Sequence, residues 1–272
     1  MSAGSGFDRE RARVFGEAAE LYDASRPGYA DALVARVLDY ASLGGRPALE
    51  IGAGTGKATV PFAEAGAALV CVEPDPRMAA VLRRNTAHLP AVRVEEAAFE
   101  QWQPRGRRFG LVIAATSWHW VDPERRWDLV HDALEPGGAV ALFWNPLGVR
   151  DRELHAALAE VDARHGMTEA PHATLASSYG DAVGQHRAGP PDWPDAQCRR
   201  DGRFTELRST RFRADRDYGT PRYLGHLASL SCYRVLPPAR REELLADTGR
   251  VLDAHGGIGL VEFGDLFLAR RR

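Results

Sequence analysis

The 272-residue chain has almost no lysine. Lys57 is the only one, so thirty-four of its thirty-five basic residues are arginine, a bias that fits codon usage in a high-GC genome. A catalytic lysine, if the chemistry needed one, would have to be Lys57. That residue is followed by Ala58, so no G-x-x-x-x-G-K-[ST] phosphate loop exists, and no tyrosine precedes it by four to complete a Tyr-x-x-x-Lys pair. Cysteine is scarce as well. Cys71, Cys198 and Cys232 form no C-x-x-C pair, which argues against a disulfide framework or a zinc site and predicts a reducing, cytoplasmic setting. The first residues carry no apolar stretch of the secretory kind, and the longest apolar runs, such as Leu111–Trp118, are far too short to span a bilayer. A formal net charge of −2 gives no bulk attraction to nucleic acid or anionic lipid, so neither is expected as a partner.

What is present is apolar residue in quantity, 44% of the chain, distributed in short runs. Continuous apolar stretches at Pro47–Ile51, Ala68–Val72, Phe109–Ala115 and Ala139–Trp144 read as buried strands. Ala91–Glu95 adds a weaker one. Between them, residues 57–65, Pro76–Thr86 and Pro123–Leu134 read as helices, the last closed by Glu135-Pro136-Gly137-Gly138. This alternation predicts a doubly wound α/β sheet. Helices are also expected over residues 9–23 and around Leu33, Val34, Val37 and Leu38. After residue 145 the expectation is a helix over Arg150–Gly166, an aperiodic stretch from Pro171 to Gly202, a strand over Phe204–Phe212, helices over Pro221–Cys232 and Pro238–Ala254, and a closing strand over Ile258–Ala269. The resulting division is an N-terminal helical lid (1–45), a sheet core (46–147), a cap or lid insertion (148–203) and a C-terminal completion of the sheet (204–272).

The sharpest local signal is Glu50-Ile51-Gly52-Ala53-Gly54-Thr55-Gly56, directly after a strand and before a helix. Glycines there let a backbone turn sharply and approach a ligand closely. The next strand ends in Val72-Glu73-Pro74-Asp75, and a carboxylate at that place can accept hydrogen bonds from a ribose diol. Together they predict a nucleoside cofactor. The spacing is G-x-G-x-G, not G-x-G-x-x-G, and Glu50 stands two residues before the first glycine. A carboxylate there repels a pyrophosphate and attracts an ammonium group. That disfavours a nicotinamide dinucleotide and favours S-adenosylmethionine.

With these residues in view, the chain resembles the class I S-adenosylmethionine-dependent methyltransferases, and within them the methyltransferase-domain family that includes ubiquinone/menaquinone-type and trans-aconitate-type enzymes. Four stretches carry the likeness: Tyr22-Asp-Ala-Ser-Arg26-Pro27-Gly28-Tyr29, the glycine loop, Thr116-Ser-Trp-His119-Trp-Val-Asp122-Pro123, and Leu134-Glu-Pro-Gly137-Gly138. The resemblance implies a Rossmann-like, seven-stranded, mostly parallel sheet with an antiparallel C-terminal strand, N-terminal helices and a small cap. It implies that Gly52, Ala53, Gly54, Thr55 and Gly56 cradle the methionine part of the cofactor. Glu50 then orients its amino group, and Tyr22 and Arg26 cover its carboxylate. Glu73 takes the ribose, and Pro74 and Met78 pack on the adenine. The family's usual acid after the third strand is an alanine here, which leaves the Ala98 amide and the Phe99 ring to meet the base. Ala114 and Thr116 close the cofactor side at the end of the fourth strand.

On the acceptor side the resemblance points to Tyr29, Trp118, His119, Trp120, Tyr179 and Tyr233. His172, Trp193 and His226 are further candidates in the cap and C-terminal segments. His119 is the candidate general base, with Tyr22 as a second catalytic candidate. No metal is expected, because a sulfonium methyl is already activated. The product would be S-adenosyl-L-homocysteine. The expected acceptor is a small molecule, a natural product or metabolic intermediate such as an indole or phenol, methylated at carbon, nitrogen or oxygen. Three rivals stay open: a carboxylate O-methyltransferase of trans-aconitate type, a fold member that binds the cofactor without methylating, and an RNA or protein methyltransferase. A homodimer is a further possibility.

Overall fold

The computed structural model describes residues 19–179 and 193–272. Val14 and Ala18 of the first expected helix, and the middle of the aperiodic stretch, lie outside the described residues. The elements in chain order are α1 (Ala19–Ser25), α2 (Asp31–Ala41), β1 (Ala48–Ile51), α3 (Thr59–Glu64), β2 (Leu69–Glu73), α4 (Pro76–Asn85), β3 (Val92–Glu96) and β4 (Phe109–Ala115). A 3-10 turn (Trp118–Trp120) leads to α5 (Arg126–Ala133), β5 (Leu134–Trp144), β6 (Leu147–Val149) and α6 (Arg152–His165). After a second 3-10 turn (Ala176–Ser178) come α7 (Pro194–Asp201), β7 (Phe204–Tyr218), α8 (Thr220–Ala228), α9 (Ser231–Arg234), α10 (Pro238–Ala254) and β8 (Ile258–Arg271).

The chain divides into two compact units. The larger holds described residues 27–144, 193–212 and 264–272, the smaller 19–26, 145–179 and 213–263. These boundaries run differently from the four-segment division expected from sequence, because β7 and β8 each contribute to both units.

In the larger unit the strand order is β3-β2-β1-β4-β5-β8. The pairs β1–β2, β1–β4, β2–β3 and β4–β5 are parallel, and Ala139–Trp144 of β5 pairs antiparallel with Asp265–Arg270 of β8. Every residue of β1 and β2 is buried, as continuous apolar strands covered on both faces require. Alternate residues feed two separate cores. Leu49, Ile51, Val70, Val72, Val112, Ala114 and Leu142 join Trp118 and Trp127 on one side. Ala48, Leu69, Cys71, Leu111, Ile113, Ala141 and Phe143 join Leu33, Val34, Val37 and Phe62 on the other. Helix α2 thus lies where its i, i+1, i+4 apolar stripe places it.

Two sequence expectations change here. Strand β5 begins at Leu134, so Glu135-Pro-Gly-Gly lies within the strand and not in a helix stop, and α5 covers only Arg126–Ala133. Eight strands form among the described residues, not seven: the short β6 is added, and β7 runs on to Tyr218. The extension was hidden because arginine and aspartate crowd Arg211–Asp217, which breaks the apolar alternation. Within the larger unit Arg211 meets the fully buried Asp265 through two bonds of 2.6 and 2.7 Å, a bidentate pair that fixes this part of β7.

The smaller unit is mostly helical. Leu154, Leu158 and Val161 of α6 pack with Tyr223 and Leu227 of α8, Leu244 and Leu252 of α10, and Ile258 and Leu260 of β8. Asp151 caps α6 through the Leu154 amide, and Gly166 ends it in the left-handed region at φ +61, within the helix expected over Arg150–Gly166. Leu147–Val149 pairs antiparallel with Leu260–Glu262. Among the described residues no helix is long and apolar enough to cross a membrane.

This unit also buries polar groups. His172 lies 3.1 Å from Asp162 and 3.1 Å from the Tyr223 hydroxyl. His226, 4% exposed, stacks on Tyr223 with an interplanar angle of 20°. Burial pushes the His226 imidazole down to about 3, and the positive charge of Arg26 adds to the effect against a hydrogen bond to the Ser25 backbone.

Candidate functional site

The site is built where β1, β2 and β4 end, at the carboxyl edge of the parallel sheet in the larger unit. Ligands bind at this edge in open α/β folds. The turn after β1 holds Gly52, Gly54 and Gly56 at φ +65, +59 and +97, a region that side chains rarely enter. Gly52 has a second constraint. A Cβ on it would stand 2.7 Å from the Ser117 Cβ, so the loop lies flat against the segment after β4. The Ser117 hydroxyl completes that clasp by donating to the Ile51 carbonyl. Asn85 of α4 donates to the Thr55 carbonyl at 2.9 Å and holds the far side of the loop.

Glu73, 6% exposed, closes β2 and faces this loop. One carboxylate oxygen accepts from the Gly54 amide at 2.8 Å and the other from the Asp75 amide at 3.0 Å. Burial raises its carboxyl above the ordinary range, and the two amide donors oppose the rise. Each oxygen keeps a second lone pair for a further donor. Asp75 caps α4 through the Arg77 and Met78 amides. Beneath the loop Met78 is 5% exposed, and its Cε would lie 3.6 Å from a Cβ on Gly54. Pro74 is exposed beside it.

Glu50 points the other way, into the core. It is 1% exposed and accepts from the Thr59 hydroxyl at 2.6 Å, with the Cys71 thiol 3.7 Å away. Desolvation pushes its carboxyl up to about 7, against those two hydrogen bonds. Its observed partners are therefore side chains that tie β1 to α3 and β2.

At the end of β4 the chain turns abruptly. Thr116 sits at φ +56, an outlier for a β-branched residue that costs roughly 1–3 kcal/mol. Its amide donates to the Phe143 carbonyl at 2.8 Å, and its hydroxyl lies 3.0 Å from that of Tyr29. The Tyr29 ring meets Phe143 edge-on at 4.8 Å. His119 follows on the 3-10 turn, exposed, with its ring 4.7 Å from that of half-buried Trp120.

Some expected site residues prove to be core residues. Trp118 is 2% exposed and packs on Trp127 at 4.9 Å beneath the Arg126 guanidinium, so it supports the turn and cannot face an acceptor. Phe99 is 5% exposed and stacks with Trp102, which covers one face of its ring. Ala114 is fully buried in β4. Ala98 is half-buried; its carbonyl accepts from the Gln101 and Trp102 amides, and these bonds leave the expectation for its own amide untouched. In the smaller unit Tyr233 is fully buried beside Asp162, whose negative charge raises the phenol further above its ordinary range. Tyr179 donates to the Leu147 carbonyl at 3.0 Å and packs on Phe263. Tyr22 and Arg26 also belong to that unit, where the guanidinium lies over the tyrosine ring at 4.9 Å and donates to Ser229. Trp193, in the larger unit, packs on Trp144 at 5.2 Å.

Sequence reasoning missed Ser117, Asn85 and the Tyr29–Thr116 pair. Their roles arise from contacts across 66, 30 and 87 positions, which no local pattern encodes.

These residues fit S-adenosylmethionine. Three glycines leave the loop without side chains, and the Thr55 hydroxyl within it is buried with no hydrogen-bond partner among the described residues. Glu73 supplies the carboxylate that a ribose needs. Among the described residues no group of three His, Cys, Asp or Glu side chains is placed to hold a metal ion.

Comparison with known proteins agrees on the domain. Residues 48–138 match the methyltransferase-domain family model. An uncharacterized methyltransferase of Mycobacterium bovis is 36% identical over 146 residues, which is 54% of this chain and 56% of that protein. The chain thus spans only just over half the length of this relative. Among solved structures, a candidate type II methyltransferase from Anaeromyxobacter dehalogenans superposes with a TM-score of 0.61 at 20% identity, over 90% of this chain and 97% of that one. A Haemonchus contortus phosphoethanolamine N-methyltransferase, solved with S-adenosylhomocysteine, gives a TM-score of 0.50 at 14% identity over 94% and 57%. At such identities the structures speak for the fold. With the strand order, the glycine loop and the family match in agreement, residues 48–138 form a methyltransferase domain of the class I, S-adenosylmethionine-dependent family.

Proposed function

We propose that this chain transfers a methyl group from S-adenosylmethionine to a small-molecule acceptor, a natural product or metabolic intermediate. One observation carries the reading: a loop of three left-handed glycines is bonded through its Gly54 amide to the carboxylate that ends β2, at the carboxyl edge of a parallel sheet. That arrangement offers backbone to the amino-acid part of the cofactor and a charged acceptor to its ribose.

Bound cofactor supplies a methyl on a sulfonium sulfur, a leaving group that needs no further activation. The chain's own work is to position the acceptor and handle its proton. Holding the nucleophile in line with the methyl converts a bimolecular encounter into an oriented one. We take His119 as the general base; its exposure on the turn after β4 supports that reading. Half-buried Trp120 lies beside it, and in this reading its ring is an aromatic wall for a cationic or planar acceptor.

The test is incubation with methyl-labelled S-adenosylmethionine and an extract of the cells that make the protein, followed by separation of acid-precipitable from soluble label. Label in the small-molecule fraction supports the reading. Label in the precipitate moves it to RNA or protein. Binding of the cofactor with no label in either fraction favours a non-methylating member.

A further inference from the structure

Thr116 holds an unfavourable backbone conformation that glycine or asparagine would adopt more easily, and it carries a hydroxyl there. Strain kept at the edge of a site is a reason to ask what the side chain does. The hydroxyl lies 3.0 Å from that of Tyr29. Its backbone amide is tied to the Phe143 carbonyl, and its partner Tyr29 leans edge-on against the Phe143 ring, so both members of the pair are fixed to one buried residue. Whichever hydroxyl donates, the Thr116 oxygen keeps a lone pair to accept from a further donor. The next segment lies along the glycine loop through Ser117 and leads to His119.

We propose that the Thr116 hydroxyl, oriented by Tyr29 as a positioning residue, hydrogen-bonds the N–H or O–H of the acceptor that becomes methylated, so that protic amines and phenols are the acceptor class. This rests on the proposed function and narrows it. In the step, the acceptor nitrogen or oxygen forms a bond to the methyl carbon. The carbon–sulfur bond breaks with its electron pair going to sulfur, which becomes a neutral thioether. The acceptor proton passes to His119 and then to water. Thr116 stays protonated throughout; it aligns the nucleophile and does not carry the proton.

Thr116→Val keeps the shape and removes the hydroxyl, Thr116→Ser keeps the hydroxyl, and Tyr29→Phe removes the orienting partner. Calorimetry with S-adenosylmethionine should give dissociation constants within threefold of the parent for all three, with unfolding midpoints confirming that each is folded. Labelled methyl transfer is then measured to a phenol, a primary amine and a carboxylic acid as probes, and to the cell extract. The expected result is transfer to the phenol, the amine or an extract acceptor of those classes. Turnover should fall at least tenfold in Thr116→Val, fall less in Tyr29→Phe, and largely recover in Thr116→Ser. A tenfold loss of cofactor affinity in Thr116→Val would make Thr116 a cofactor contact and overturn the inference. So would equal turnover in Thr116→Val, or methylation confined to the carboxylic acid. If the parent protein binds cofactor and labels nothing, the functional reading itself falls, and this inference with it.

Discussion

Acid should loosen the smaller unit through one histidine. His226 is 4% exposed, and its imidazole is held down to about 3 from the ordinary 6.5 by burial and by Arg26. The folded state therefore binds its proton only in strong acid, whereas the unfolded chain binds one below pH 6.5. Stability from this residue is present above 6.5 and is lost as pH falls from 6.5 towards 3. Between pH 7 and pH 5 the loss is about 2 kcal/mol, close to 1.36 kcal/mol for each pH unit below 6.5. Glu50 works in the opposite sense in the larger unit. Its carboxyl, raised to about 7 by burial, takes up a proton in the folded state before the unfolded chain does. The same acidification thus adds about 2 kcal/mol there, and a single wild-type curve would hide both effects. The informative variant is His226→Phe, which preserves a ring against Tyr223 and cannot ionise. Urea unfolding of both proteins at pH 7 and pH 5, followed by circular dichroism, gives the difference in stability at each pH. That difference should move by about 2 kcal/mol in favour of the variant at pH 5. If it stays constant between the two pH values, His226 is not the neutral buried group described above, and the argument fails.

Three further outcomes follow from the cofactor edge. Gly52→Ala forces a left-handed alanine and a Cβ 2.7 Å from the Ser117 Cβ, so it should cost roughly 1–3 kcal/mol and lower the melting temperature by several degrees; an unchanged melting point would contradict the clasp. Glu73→Ala should weaken S-adenosylmethionine at least about tenfold by calorimetry, since each charge-assisted hydrogen bond contributes about 1.5–3 kcal/mol; unaltered affinity removes the ribose assignment. His119→Ala should lower turnover by about 10²-fold or more while cofactor affinity holds, because the residue is exposed and outside the core; parent-like turnover would take it out of the mechanism.

The sheet and the glycine loop at its carboxyl edge were legible because their determinants are local. Apolar runs such as Leu111–Ala114, glycines at positions 52, 54 and 56, and an acid at 73 each state their structure within a few residues. Burial was harder to read. Nothing in Trp118-His119-Trp120 says which indole enters the core; that is decided by Trp127 and Arg126 arriving from α5. Tyr233 looked like a ligand contact and is fully buried, since helices of the smaller unit close around it. The full length of β7 was masked by charge, because arginines there find acidic partners: Arg211 on Asp265, and Arg216 on Glu262.

The single lysine has a practical meaning. Lys57 stands half-buried directly after Gly56, at the point where the cofactor loop turns into its helix. Amine-reactive chemistry on most proteins scatters over many side chains, whereas here only one side chain can react, and it adjoins the loop. Apart from the chain's α-amino group, a fluorophore or mass tag attached through an amine sits at Lys57, and protection of that amine by a ligand can be read from a single peptide.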